Sequence, residues 1–317
     1  MRSTLLGLGL VALMGSAAMS AEPELPPWLF IVPPVAPAAP KPEEPVLHVP
    51  NSTVGLTQSQ LRDLHNAPDW HPDGHPKPPA SVMHGGHTEY DACGYCHLPN
   101  GQGRPENTSL AGLSASYIIQ QVQDYKNGLR KSSEPRMLPP TYMAAVSRNA
   151  PDADVKAAAE YFESLKPMVW VKVVETKMVP KTQAGAMLMP VAGGGQEPIG
   201  DRIIEVPENV EATTLRDDHS GFIAYVPVGA IKEGEKLVKS GIGGGAACKT
   251  CHGDDMRGIG PVPRLAGRSP TYLARTMFDF KTGARAGVWS GLMMPTITNM
   301  TQHQMVAVAA YLGSLKP

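Results

Sequence analysis

The stretch 91-DACGYCHLPNGQG-103 places Cys93 and Cys96 three positions apart and puts His97 directly after the second. The pattern returns at 248-CKTCH-252, with Cys248, Cys251 and His252, and the chain has no other cysteine. Three chemistries use cysteine pairs of this kind. A zinc site commonly draws four ligands from two such pairs close in sequence. Here the pairs lie about 155 residues apart, and each has a histidine of its own. A redox dithiol needs one pair at a helix start and sets no rule for a following histidine. Haem attachment accounts for all three residues, twice over. Two thiols add to two vinyl groups on one edge of a porphyrin, and the next residue lies under the ring with its imidazole on the iron. The motifs therefore imply two covalently bound c-type haems, anchored by Cys93 and Cys96 and by Cys248 and Cys251. His97 and His252 are the first axial ligands.

The chain after each motif repeats. Leu110 to Arg130 (LAGLSASYIIQQVQDYKNGLR) aligns with Leu265 to Arg285 (LAGRSPTYLARTMFDFKTGAR) at an offset of 155. Tyr117 falls on Tyr272, Asp124 on Asp279, Lys126 on Lys281 and Arg130 on Arg285. Tyr117, Ile118, Val122 and Tyr125 have helical spacing, as do Tyr272, Leu273, Met277 and Phe280. Val155 to Pro167 aligns with Met305 to Pro317 at an offset of 150. Val155, Ala158, Phe162 and Leu165 form one apolar helix face, matched by Met305, Val308, Leu312 and Leu315.

Each iron takes a second axial ligand or keeps an open site. A thioether is the usual partner of histidine in electron-carrying c-type sites. Twelve residues before Met305 stands Met293, and twelve before Val155 stands Met143, so the repeat puts a methionine at the same place in both copies. Met294 and Met137 compete with them, since the chain has 16 methionines and methionine also fills cores. The ring nitrogen not on iron needs an acceptor. The carbonyl of Pro263 is at hand in the second copy, and Thr108 stands at the same place in the first.

With these residues the chain resembles the class I cytochromes c, and in particular the two-haem cytochromes of the c-four type. The resemblance rests on CGYCH and CKTCH, on PRLAG (263–267), on MMPTITNMT (293–301) and on the two YxxSLKP endings. It covers about 85 residues in each half. It implies a mainly α fold with two tandem class I cytochrome c domains, histidine and methionine on both irons, and electron carriage in the periplasm. In that family the methionine lies eight residues before the Ser or Thr that caps the last helix. Met293 lies eight before Thr301, whereas Met143 lies eight before Pro151. The segment 229-GAIKEGEKLVKSG-241 looks like the first helix of the second domain, and no equivalent precedes Cys93. The first domain is then either less closed or covered by the chain before it.

The remaining sequence divides around these domains. Residues 1–21 read as a signal peptide: Arg2, a short apolar run from Leu5 to Met14, and small residues up to Ala21. No later stretch is long and apolar enough to span a membrane. Residues 22–80 form a proline-rich N-terminal arm, extended at first, with a short helix capped by Thr57 and carrying Leu61 and Leu64. The first cytochrome domain covers 81–167 and the second 230–317. Between them, residues 168–229 form a small β-rich connector, with strands in VWVKVVETKMVP, RIIEVP and GFIAYVP. AGGGQEPIG lacks the Gly-Lys-Ser/Thr ending of a phosphate loop. Arg216 to His219 (RDDH) reads as a solvated turn rather than a metal site, and His71, His75, His84 and His87 as surface or cap residues rather than a transient metal site or a distal ligand to the first haem.

A net charge of -1, from 28 basic and 29 acidic residues, gives no electrostatic case for nucleic acid. The partners implied are redox proteins, a membrane or periplasmic dehydrogenase or an oxidase. The rival to a carrier is a two-haem enzyme such as a peroxidase, for which a histidine of the 71–87 cluster would act beside the first haem. A sulfur enzyme with a cysteine-ligated iron would need a fifth cysteine.

Overall fold

The computed structural model describes residues 25–32 and 44–317, so the expected signal peptide lies outside the described residues. The helices are α1 (Gln58–Arg62), α2 (Ala80–Met83), α3 (Cys93–His97), α4 (Ala115–Lys126), α5 (Leu138–Asn149) and α6 (Asp152–Ser164). They continue with α7 (Val210–Thr214), α8 (Ala230–Ser240), α9 (Lys249–His252), α10 (Pro270–Lys281), α11 (Ser290–Ile297) and α12 (Gln302–Ser314). Seven short strands separate α6 from α8, interrupted by α7: β1 (Val171–Glu175), β2 (Met178–Pro180), β3 (Thr182–Ala184), β4 (Leu188–Pro190), β5 (Gln196–Pro198), β6 (Ile204–Pro207) and β7 (Phe222–Val226).

The repeat in sequence is a repeat in space. Ser114 and Ser269, 155 residues apart, are the N-caps of α4 and α10, and each hydroxyl accepts from the backbone N–H of the tyrosine three residues on. The turn after each motif histidine is also shared. Gly103 N–H donates to the His97 carbonyl at 2.9 Å, and Gly258 N–H to the His252 carbonyl at 2.9 Å. The position after the histidine is left-handed in both, with Leu98 at φ 61° and Gly253 at φ 82°. A leucine there is uncommon; it holds because Leu98 is 2% exposed and packs into the main core. In the first repeat α4 packs on α5 and α6; in the second α10 packs on α11 and α12.

The second repeat is closed by α8, which crosses α12. Its buried face is Ala230, Gly234 and Val238, at four-residue spacing. The first repeat has no such helix. Instead α2 packs on α3 and α6, with Val82 fully buried in the first repeat's own core. Ala67 N–H donates to the Met83 carbonyl at 2.8 Å and Ala92 N–H to the Leu64 carbonyl at 2.9 Å. The first domain is therefore covered by the chain before it. The capping box at Thr57 and Gln60 starts α1 as its sequence implies, with Leu61 buried, but α1 ends at Arg62 and leaves Leu64 beyond it.

The described residues 25–32 of the arm depart from the extended form its prolines suggest. Leu29, Phe30 and Ile31 are 0%, 4% and 6% exposed. Phe30 meets Phe278 edge to face at 6.4 Å, and Arg275 Nη1 donates to the Leu29 carbonyl at 3.2 Å. Three of the five apolar residues between the prolines are buried and form an anchor.

The connector contains all the strands expected of it and three more, β3, β4 and β5, whose residues lack a β-branched run. β1 pairs parallel with β7, and β7 antiparallel with β6, in the order β1-β7-β6; β2 pairs with β5 and β3 with β4. The three-stranded sheet lies on the second repeat. Trp170, Val171, Ile203 and Phe222 join the core that holds Leu273, Met277 and Val308. Glu205 of β6 is 2% exposed, and its Oε2 accepts from Ser269 Oγ, Thr271 N–H and Thr271 Oγ1 at 2.6 to 3.0 Å. A buried carboxylate bonded at a helix start is stabilised by the N-terminal end of α10.

Candidate haem centres

Cys93, Cys96 and His97 sit on α3, and Cys248 caps α9, which carries Cys251 and His252. His97 is 7% exposed, and its Nδ1–H donates to the Thr108 carbonyl at 2.8 Å. His252 is 5% exposed and donates from Nδ1 to the Pro263 carbonyl at 2.9 Å. These are the two acceptors the repeat supplies at one offset. A carbonyl can only accept, so the proton is on Nδ1 and the Nε2 lone pair is free for a metal. Nε2 of His252 is buried and has no hydrogen-bond partner. Burial holds His97 down at about 4, so its imidazole is neutral.

The thiols argue against a redox dithiol. Reactive Cys-x-x-Cys pairs have lowered pKa values. Burial pushes Cys93 up to about 12 and raises Cys96 and Cys248. Two clusters of metal-ligating side chains occur among the described residues, and neither contains a cysteine. The residues fit thioether-bound haem: paired thiols, an adjacent imidazole with a fixed tautomer, and, in the first repeat, an apolar cleft beside them.

That cleft is lined by Cys93, Cys96, His97, Tyr117, Ile118 and Phe162 of the first repeat. Met143, on α5, also lines it, whereas Met137, its competitor, is fully buried in the main core. In the second repeat Met293 and Cys248 are half-buried against that core. Met294, one residue on, accepts from Thr298 through its carbonyl.

Tyr272, Arg275 and Asp279 of the second repeat also line the first cleft. They belong to an interface that the sequence did not announce. Arg130 and Arg285 pair across an antiparallel bridge, flanked by Lys131 N–H to the Ala284 carbonyl at 2.8 Å and Ala286 N–H to the Leu129 carbonyl at 2.7 Å. Arg130 Nη2 donates to the Tyr272 hydroxyl at 3.1 Å, and Arg285 Nη2 to the Tyr117 hydroxyl at 3.0 Å. The arrangement is reciprocal, as expected when two copies of one unit meet face to face. The identities Tyr117/Tyr272 and Arg130/Arg285 were the available signal, but a repeat alone does not say that its members touch.

The histidines before the first motif do not reach the cleft. His84 is exposed and its Nδ1 bonds Asn66 Oδ1 at 2.9 Å; His87 is exposed with φ 58°. His71 is buried against Asp217 of the connector, and His75 lies between Asp69 and the Tyr161 hydroxyl, so neither is a free surface residue. RDDH is no solvated turn either. Asp217 and Asp218 are 7% and 2% exposed, and Arg216 lies over the Tyr95 ring at 3.7 Å and donates to the Tyr95 carbonyl.

Residues 83–166 and 231–316 each match the model of the family described as cytochrome c. The chain belongs to the cytochrome c family. Similar proteins include "Cytochrome c-552" of Acidithiobacillus ferridurans, 28% identical over 70% of this chain and 73% of that protein. "Cytochrome c4" of Azotobacter vinelandii is 26% identical over 70% of this chain and 84% of its own length. "Thiosulfate dehydrogenase electron acceptor" of Thiomonas intermedia (strain K12) is 27% identical over 71% of this chain and 79% of its own. This cytochrome c is a two-haem, mainly α protein of the c4-like kind, with a covalent haem c in each half. The mass of the haem-loaded chain is accordingly expected to exceed that of the polypeptide by two haems, and the colour to stay on the polypeptide after acid extraction. One haem, or colour lost to the extract, refutes this.

Proposed function

We propose that this cytochrome is a periplasmic electron carrier with His97 and Met143 on the first haem iron and His252 and Met293 on the second. The domains run over 81–167 and 230–317, joined by the connector 168–229. The observation that carries the proposal is the composition of the first cleft, where His97, Cys93, Cys96 and Met143 meet Tyr272 and Asp279 of the other repeat. An imidazole and a thioether would hold each iron, which would suit outer-sphere transfer and leave no site for a substrate. Bound haem supplies the one-electron couple; the chain supplies ligation, an apolar surround and a short route between halves. Thr108 and Pro263 hold the ring orientation of each histidine through their carbonyls. Tyr272 and Arg130 tie the two haem surroundings together. The relative named as the electron acceptor of a thiosulfate dehydrogenase supports a dehydrogenase as donor. Near-zero net charge makes docking a matter of a local patch with modest salt dependence.

Steady-state assays separate the carrier from a peroxidase. The reduced protein is expected to be oxidised rapidly by a small soluble cytochrome or an oxidase, with no turnover of peroxide or thiosulfate, and His84→Ala and His87→Ala should change nothing. Sustained peroxide turnover lost in either variant overturns the proposal.

A further inference from the structure

A group of histidines and aspartates, with His71, Asp217 and Asp218 buried, joins the chain before the first haem motif to the end of the connector. His71 Nε2 lies 3.3 Å from Asp217 Oδ1 and 3.8 Å from Asp218 Oδ1. The His219 ring stacks on His71 at 3.6 Å, and ligand atoms of His71, Asp217 and His219 all lie within 4.8 Å of one another. Beside them His75 Nε2 lies 3.3 Å from Asp69 Oδ1, and Asp218 completes a second triad with that pair. Three carboxylates thus share one pocket with three imidazoles. Neutral imidazoles would leave the carboxylate charge uncompensated, at a cost that burial makes large. Asp218 shows that cost: it is 2% exposed, and its Oδ1 has no hydrogen-bond partner.

We propose that His71, Asp217 and His219 bind one divalent transition cation of the zinc type, with Asp218, 3.8 Å from His71, as the nearest further donor. Mixed imidazole and carboxylate donors select borderline cations over calcium or magnesium, which take oxygen ligands. Bonds of about 2.0–2.2 Å in a tetrahedron set neighbouring donors about 3.3–3.6 Å apart; the His71 to Asp217 separation of 3.3 Å matches that edge and the His71 to Asp218 separation of 3.8 Å lies just beyond it. Parallel rings cannot aim their in-plane lone pairs at a common ion, so His219 turns out of its stack to bind; it is exposed and has room to do so. Asp69 and His75 flank the ion through Asp218.

The position gives the ion its consequence. Trp70 Nε1–H donates to the Leu215 carbonyl at 2.7 Å, and Asn100 Nδ2 to the Asp218 carbonyl at 2.7 Å. Arg216, next to two of the ligands, holds the backbone of Tyr95 inside the first haem motif. An ion here staples the segment that covers the first haem domain to the connector and so closes that domain, where the second repeat uses α8.

The test is calorimetric titration of the haem-loaded, chelator-treated protein with zinc chloride, with a melting curve at each end point. One zinc per chain and a raised Tm are expected. Asp218→Asn keeps the shape and His219→Ala changes an exposed side chain, so both variants should fold; each should weaken uptake by about tenfold or more and lose the rise in Tm. His303, exposed between Asp201 and Glu233 at 2.9 Å each, is the surface control, and His303→Ala should bind as wild type does. No zinc uptake, or uptake untouched by Asp218→Asn and His219→Ala, or uptake abolished by His303→Ala, overturns the site.

Discussion

Met143→Ala is expected to open the first haem iron, to bind carbon monoxide there, and to lower that haem's potential by a substantial part of the ~0.8 V that axial ligands command. The methionine stands on α5, whose first turn is stiffened by Pro139 and Pro140 and whose later turn is fixed by Ser147 Oγ donating to the Met143 carbonyl at 2.6 Å. Truncation therefore removes the thioether without moving the helix. The discriminating control is Met137→Ala. That side chain is fully buried in the main core, so its loss should cost about 2–5 kcal/mol of stability while leaving both haem spectra intact. Met293→Ala should do at the second haem what Met143→Ala does at the first. The thioether-to-iron charge-transfer band of the ferric protein and carbon monoxide binding by the ferrous protein read the ligation, and denaturant unfolding reads the stability. An unchanged band in Met143→Ala, with loss in Met137→Ala, reassigns the ligand.

Gly234→Ala is expected to destabilise the second half by about 3 kcal/mol or more, as overpacking between two backbones does. A Cβ at Gly234 would lie 1.9 Å from the Ala307 carbonyl oxygen and 2.6 Å from its carbon. Both obstacles are main chain, so no rotamer relieves them, and α8 and α12 have to move apart. Helix propensity works the other way, favouring alanine by about 1 kcal/mol, which makes the sign of the result informative. Gly291 is the matched control, since a Cβ there meets nothing within 4 Å; Gly291→Ala should be neutral or slightly stabilising. Denaturant unfolding followed at each haem reads the difference. A Gly234→Ala protein as stable as wild type would mean that α8 and α12 leave room for a methyl group at their crossing.

The sequence by itself determined what depends on local pattern. Two Cys-x-x-Cys-His motifs with no cysteine to spare name the cofactor, because covalent attachment needs those residues in that order. The offsets of 155 and 150 name the repeated helices, because a helix that covers a haem must keep its apolar spacing; Ser114 and Ser269 cap them at matching positions. Short runs rich in β-branched and aromatic residues marked β1 and β2, β6 and β7, whereas β3, β4 and β5 carry no such run and exist only through pairing. Tertiary structure decided the rest. α4 and α10 read alike, yet α10 is buried nearly all round because the connector and the arm lie on it, with Arg275 reaching the carbonyls of Leu29 and Pro105. His71 and the aspartates Asp217 and Asp218 lie about 146 residues apart and meet in one buried group. Composition made each segment look solvated, because polar residues are usually exposed. Which polar groups compensate one another is a property of long-range contact, and no local spacing records it.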